Sequence, residues 1–218
     1  MMGLSLTHVL NSLINKGFTY MALPELIEKS DQEWLFKLTK KQSKWPERDL
    51  CLLAFFLGSP CEILELNKIT ISDVLNGDMI KKSFTIRGDK ASNGEYRIMH
   101  IKQDIATLLK KYIKSMDNVY KNEFLFRTLK GEPFAITTIK GRERADSLKR
   151  HILDLLREGG IENPGSQSGR RTFATAAHRK GEHISTIHWL LGNKMLATTK
   201  RLINSDPLTM GEVSKGAF

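Results

Sequence analysis

The stretch from Gln167 to Asn204, QSGRRTFATAAHRKGEHISTIHWLLGNKMLATTKRLIN, constrains what this chain can fold into more than any other segment. Arg170, Phe173, Ala174 and Ala177 recur at helical spacing, and Gly181 stands where a helix ends in a left-handed residue. A second apolar series, Ile184, Ile187, Leu190 and Leu191, keeps the 3.6-residue period and stops at Gly192. A third helix begins near Thr198 and carries Leu202 and Ile203 on one side. The pattern predicts three packed helices joined by glycine turns. Its charge is lopsided. Arg170, Arg171, Arg179, Lys180, Lys194, Lys200 and Arg201 stand against a single acid, Glu182, the footprint of a phosphate-facing surface.

The whole chain shares that bias. A formal charge of +10 and a pI near 9.6 favour a polyanionic partner, either nucleic acid or an anionic membrane. The longest unbroken apolar run, Leu50 to Leu57, is far too short to span a bilayer. Met1 to Ile14 lacks the basic start of a signal peptide. Cys51 and Cys61 lie in or beside an apolar segment, so buried free thiols in a reducing cytosol are expected rather than a disulfide. The reading is a cytoplasmic protein that calls for no cofactor, no metal and no membrane partner. With 218 residues the chain can bury a full core.

Taken in order, Leu4 to Leu13 predicts a short amphipathic helix, with Leu6, Val9, Leu10 and Leu13 on one side. Helices follow over Glu25–Lys29 and Gln32–Thr39. The basic turn Lys40–Lys44 reads either as a solvated loop or as a contact to a nucleic-acid backbone. Arg48 opens an apolar helix through CLLAFFLG. Ile69–Val74 and the turn signal Asn76-Gly77 lead into two strand-like runs, Met79–Ile86 and Tyr96–Ile101, joined by a long hairpin loop from Gly88 to Gly94. Helices are predicted again over Asp104–Met116 and Arg144–Arg157, and Asn163-Pro164-Gly165 turns the chain into the stretch described first. The expected class is mainly α with a small antiparallel β-sheet (α+β). The expected organisation is a short N-terminal helical segment (1–22), one domain (23–204) and a C-terminal tail (205–218).

The run GRRTFAT, then Gly181, LLGN and ATTKRL resembles the second signature box of the tyrosine recombinases, the phage integrase family. In that family the box reads His-x-x-Arg, then Leu-Gly-His, a Thr-Thr pair and the nucleophilic tyrosine. The arginine falls on Arg170. The two histidines fall on Gln167 and Asn193, and the tyrosine falls on Leu202. PCEILEL is similar to the first family box, with Glu62 and Leu66 in register and Ser59 where the first catalytic arginine belongs. No arginine occurs between Arg48 and Arg87, and no tyrosine after Tyr120. The resemblance also implies that Lys90, on the hairpin, is the lysine that protonates the leaving oxygen in a DNA minor groove, and that Arg97 is the basic residue of the following strand. Family members carry a whole helical DNA-clamping domain ahead of this one, where the present sequence has residues 1–22.

What the resemblance implies is therefore a recombinase framework with altered chemistry. A leucine has no atom that can attack a phosphodiester, a serine cannot replace a bidentate guanidinium, and Asn or Gln cannot accept a proton near neutral pH. The expectation is a catalytically inactive DNA-binding protein of the phage integrase type, linked to DNA recombination, integration or a mobile element as a regulator, accessory or architectural factor. Its expected DNA contacts are Lys90, Arg97, Arg170, Arg171, Lys194, Lys200 and Arg201, with Arg170 still facing an anion. Two alternatives stay open: an active recombinase with a relocated nucleophile, and a protein-interaction module that binds a true recombinase. The tail is a candidate contact for a homo-oligomer or a recombinase partner. Thr172 to Leu191 also admits a helix-turn-helix reading.

Overall fold

The computed structural model of the protein describes residues 23–86, 96–204 and 206. In chain order its elements begin with α1 (Lys29–Gln42), α2 (Pro46–Gly58), α3 (Ile63–Lys68) and α4 (Ile71–Val74). A hairpin of β1 (Leu75–Asn76) and β2 (Met79–Ile80) and a ribbon of β3 (Ser83–Ile86) and β4 (Arg97–His100) follow. Next come α5 (Gln103–Lys114), a second ribbon of β5 (Thr137–Ile139) and β6 (Arg142–Arg144), and α6 (Asp146–Glu158). The chain closes with α7 (Ser168–Arg179), α8 (Ile184–Leu191) and α9 (Leu196–Ile203). Among the described residues, each strand pair is antiparallel and forms a two-stranded sheet.

The architecture is built around α2. Pro46 lies in its first turn, where a missing N–H costs nothing, and Glu47 and Asp49 face the positive end of its dipole. Every residue from Arg48 to Leu57 except Leu50 is buried. A helix that is apolar all round must be packed on all sides. Here α1, α5 and α7 do so. The main core includes Leu52, Phe55 and Phe56 of α2, Leu35 of α1, Leu109 and Tyr112 of α5, and Ile152 and Leu156 of α6. A smaller cluster, Ala174, Ile187, Leu191, Leu202 and Ile203, holds α7, α8 and α9 together. The glycine-punctuated three-helix stretch thus folds as its periodicity predicts.

The structure corrects several boundaries. Glu25 to Ile27 is not helical: the Ile27 N–H donates to Thr172 Oγ1 at 3.1 Å, and Glu28 is the extended cap of α1. A tertiary tie to α7 outweighs local propensity there. The predicted strand Met79–Ile86 divides at Lys81, whose N–H donates to Val74 O at 2.8 Å and whose Nζ donates to Ser72 O at 2.6 Å, so the backbone leaves one ladder before entering the next. The helix predicted over Arg144–Arg157 begins instead at Asp146, because Arg144 belongs to the β5–β6 ribbon. The predicted N-terminal helix, the hairpin loop bearing Lys90 and the C-terminal tail beyond Asp206 fall outside the described residues. Among the described residues, no helix is long and apolar enough to cross a membrane.

Candidate nucleic-acid interface

Arg170 occupies the centre of the site, and its surroundings follow from how α7 begins. Gly165 N donates to Ser168 Oγ at 2.9 Å, closing the turn after Pro164. Gly169 then lies against α2 so closely that a Cβ built on it would stand 2.1 Å from Phe56 O. That contact carries the next residue into the interior, where Arg170 is 2% exposed. Its Nη1 donates to Glu62 Oε1, and its Nη2 donates to Leu191 O at 2.6 Å and to Asn193 Oδ1 at 2.8 Å. Asn193 Nδ2 donates in turn to Thr199 Oγ1 at 2.9 Å, and His188 Nδ1 lies 3.0 Å from the same oxygen. The outcome is one hydrogen-bonded series running Glu62, Arg170, Asn193, Thr199, His188.

This corrects the expectation that Arg170 faces an anion. The acceptors that a phosphate would supply come from Glu62 and the α8–α9 corner, and burial leaves no open solvent at the guanidinium. Burial pushes its pKa down, while the neighbouring Glu62 and Glu65 carboxylates oppose that shift. An arginine remains charged throughout.

A second guanidinium lies close by. Arg97, on β4, is 2% exposed, and its Nη2 donates to Glu65 Oε2 at 2.7 Å. Glu65 Oε2 also accepts from the Glu62 N–H at 2.8 Å, completing a reciprocal cap at the start of α3. One buried carboxylate therefore fixes both the helix that presents Glu62 and the strand that presents Arg97. Gly192 seals the other side: at φ 63 it ends α8, and a Cβ there would meet Arg97 Nη1 at 2.5 Å. Among the described residues, Arg97 Nε and Nη1 have no partner.

The other sequence candidates scatter. Ser59 is buried, with its hydroxyl donating to Phe55 O at 2.6 Å to close α2. Leu202 is 7% exposed, within the smaller apolar cluster. Gln167 is half-buried at the start of α7 and makes no side-chain cap. Arg171 is buried and donates to Pro24 O. Arg179 forks onto Glu28 at 2.8 Å from each terminal nitrogen and onto Asp206 at 2.6 and 3.0 Å. Lys180, Lys194, Lys200 and Arg201 are exposed. The basic stretch is thus not one surface: Arg170 and Arg171 turn into protein contacts, because residues on the inner face of a packed helix cannot also face solvent, and the exposed Arg179 is held at the surface by Glu28 and Asp206. Lys90 lies outside the described residues.

Three features escaped the sequence reading. His188 stands eleven positions from Thr199 and meets it only because α8 and α9 pack as a pair. Glu65 is buried as an ion-pair partner, for which its i,i+3 spacing from Glu62 was the available signal. Arg48, Asp49 and His151 form a cluster between α2 and α6: Arg48 Nε donates to Asp49 Oδ1 at 2.8 Å, and His151 Nε2 lies 2.7 Å from that oxygen. Among the described residues, no group of three or more His, Cys, Asp or Glu side chains could hold a metal ion.

No protein-family model matches the chain. Tyrosine recombinase XerA of Saccharolobus solfataricus is 28% identical over 159 residues, covering 70% of this chain and 44% of that protein. XerC of Thermodesulfovibrio yellowstonii is 26% identical over 183 residues, 82% of this chain and 57% of its own length. The chain spans about half the length of the curated relatives it matches. Among solved structures, XerA recombinase superposes with a TM-score of 0.69 at 21% identity, over 89% of this chain and 65% of that one. XerH site-specific recombinase bound to a palindromic difH substrate gives 0.64 at 18% identity, over 91% of this chain and 54% of that one. The catalytic domain of bacteriophage HP1 integrase gives 0.57 at 16% identity, over 88% of this chain and 95% of that domain. With α2 enclosed by helices, a small antiparallel ribbon beside α3 and a closing three-helix unit, the chain has the fold of a tyrosine recombinase catalytic domain.

Proposed function

We propose that the protein binds duplex DNA, chiefly through backbone phosphates, without cutting or joining it, and so acts as a regulator, accessory or architectural factor. One observation carries this reading: the polar series from Glu62 to His188 is made between groups of the protein itself, and a buried leucine, Leu202, stands where the resemblance implies a nucleophile. Leucine cannot attack phosphorus, and Asn193, engaged by Arg170 and Thr199, cannot take a proton near neutral pH. The exposed Lys180, Lys194, Lys200 and Arg201 support phosphate contact. So do the similar structures solved with DNA, XerH with difH and the Tn1549 transposon integrase with transposon right end DNA.

The pairing of Thr199 with His188 favours a second reading, an active enzyme with a relocated nucleophile, since a hydroxyl beside a base is the arrangement such a step needs. Against it, Thr199 is fully buried. Incubation with a nicked suicide duplex separates the two. No protein–DNA band should survive denaturation, and Leu202→Tyr should not create one; a surviving wild-type band overturns the inactive reading. Binding itself is read across salt concentrations, where each neutralised phosphate contributes about −0.9 to the slope of log K against log salt. Lys200→Ala with Arg201→Ala should flatten that slope by about 2. An unchanged slope in that variant would favour the protein-interaction alternative.

A further inference from the structure

The β5–β6 ribbon has two unlike faces. Thr137 pairs with Arg144, Thr138 with Glu143 and Ile139 with Arg142. Directly paired residues share a face, and alternate residues point to opposite faces. Thr138 and Glu143 therefore lie on one side, and Thr137, Ile139, Arg142 and Arg144 on the other. The first side turns toward the body of the protein, because the Glu143 carboxylate pairs with Lys68 at the last residue of α3. The second side turns away. Every residue of both strands is exposed, and Ile139 remains 48% exposed. Arg144 pairs with Asp146 at 3.1 Å in a solvated contact, weak enough to exchange for another acceptor.

The turn adds a third cation. Lys140 and Gly141 have φ of 51 and 71, the two positive values that a two-residue type I′ turn requires. Asn or Gly would take the first position with less strain. The sequence keeps lysine at the tip instead.

An isolated two-stranded ribbon is marginal in water, so one that displays an isoleucine on the same face as two arginines is poorly explained as a plain connection. It has the shape and chemistry of a groove reader. The major groove of B-DNA is about 12 Å wide and admits a two-stranded ribbon; arginine forks match guanine O6 and N7, and apolar methyls meet the thymine methyl. The anchor is well placed. Lys68 ends α3, and Glu62, which holds Arg170, caps its start, so the ribbon is tied about 9 Å, six residues of helix rise, from the recombinase-like centre. We infer that the β5–β6 ribbon enters a DNA major groove with Arg142 and Arg144 facing base edges, Thr137 and Ile139 beside them, and Lys140 reaching a phosphate. This inference rests on the DNA-binding reading above and gives that binding a sequence preference.

The test uses the full chain and a duplex enriched by wild-type protein from a randomised pool, compared with a scrambled duplex of equal length. Wild type should prefer the enriched duplex, with guanine N7 methylation interfering. Arg142→Ala with Arg144→Ala should lower that preference about 5-fold or more. Arg142→Lys with Arg144→Lys keeps charge and size and should lose the preference while holding the salt slope; it also carries the test if the alanine pair does not fold. Lys200→Ala with Arg201→Ala should weaken both duplexes alike. An undiminished preference in the ribbon variants overturns the inference and leaves DNA binding standing, and a wild type with no preference does the same. A wild type that binds neither duplex removes both readings. Loss of self-association in the ribbon variants, with preference intact, assigns this face to a second copy of the chain and overturns the inference.

Discussion

Arg170 is a buried guanidinium whose terminal nitrogens all meet acceptors within the protein. Its two terminal nitrogens serve Glu62, Leu191 O and Asn193, so its removal leaves a partly buried carboxylate and a buried carbonyl without their donor. Arg170→Ala should cost about 3 kcal/mol of stability in urea titration, near the lower end for breaking a buried pair because Glu62 keeps 30% of its side chain exposed. The same variant should leave the salt slope of DNA binding unchanged, which a phosphate-bound arginine would not. Gly169→Ala offers a sharper case. Its new Cβ would stand 2.1 Å from Phe56 O, a backbone atom that cannot swing aside, so α7 must move off α2 at a cost of about 3 kcal/mol or more. No spacing rule in the sequence distinguishes this glycine from a tolerated helical one; only the packing of α7 on α2 does.

At the scale of elements, local pattern and tertiary placement divide the outcome. The apolar run of α2 and the glycine-stopped helices α7 and α8 follow from periodicity, because each can bury its apolar face in only one way. The β5–β6 ribbon does not follow. Its strands carry no alternating apolar residues, as both faces are exposed, and its turn places lysine where a glycine or asparagine signal would be sought. Lys140→Asn should relieve the left-handed backbone at that position and raise stability by about 1 kcal/mol, seen as a higher melting temperature. A fall in melting temperature would mean that the lysine side chain itself holds the turn.

The molecule as a whole should be most sensitive on the acid side. Asp49 is buried, which would raise its pKa, yet hydrogen bonds from His151 and Arg48 and the Arg48 charge hold it below its ordinary 3.8. Glu28 is held below its ordinary 4.5, first by its hydrogen bond from Arg179. Carboxyls depressed in the folded state take up protons more readily in the unfolded chain. Their contribution is present above the unfolded pKa and is lost as pH falls through the folded one. The urea midpoint should therefore fall steeply below about pH 4. Asp49→Asn should lower stability at pH 7 by about 3 kcal/mol and flatten that acid limb; an unchanged limb would place the sensitivity elsewhere.

The amino-acid sequence by itself determined the elements whose burial is periodic and the recombinase framework they build, since hydrophobic spacing and glycine stops are local properties of the chain. What only the tertiary structure decided was where the charges point. Arg97, Arg170, Arg171 and Arg179 read alike along the chain as basic residues, yet each finds its partner from a distant segment: Glu65, Glu62, Pro24 and Glu28. A guanidinium faces an anion or the interior according to which acceptors the packing of helices brings within about 3 Å, and sequence spacing holds no record of that distance.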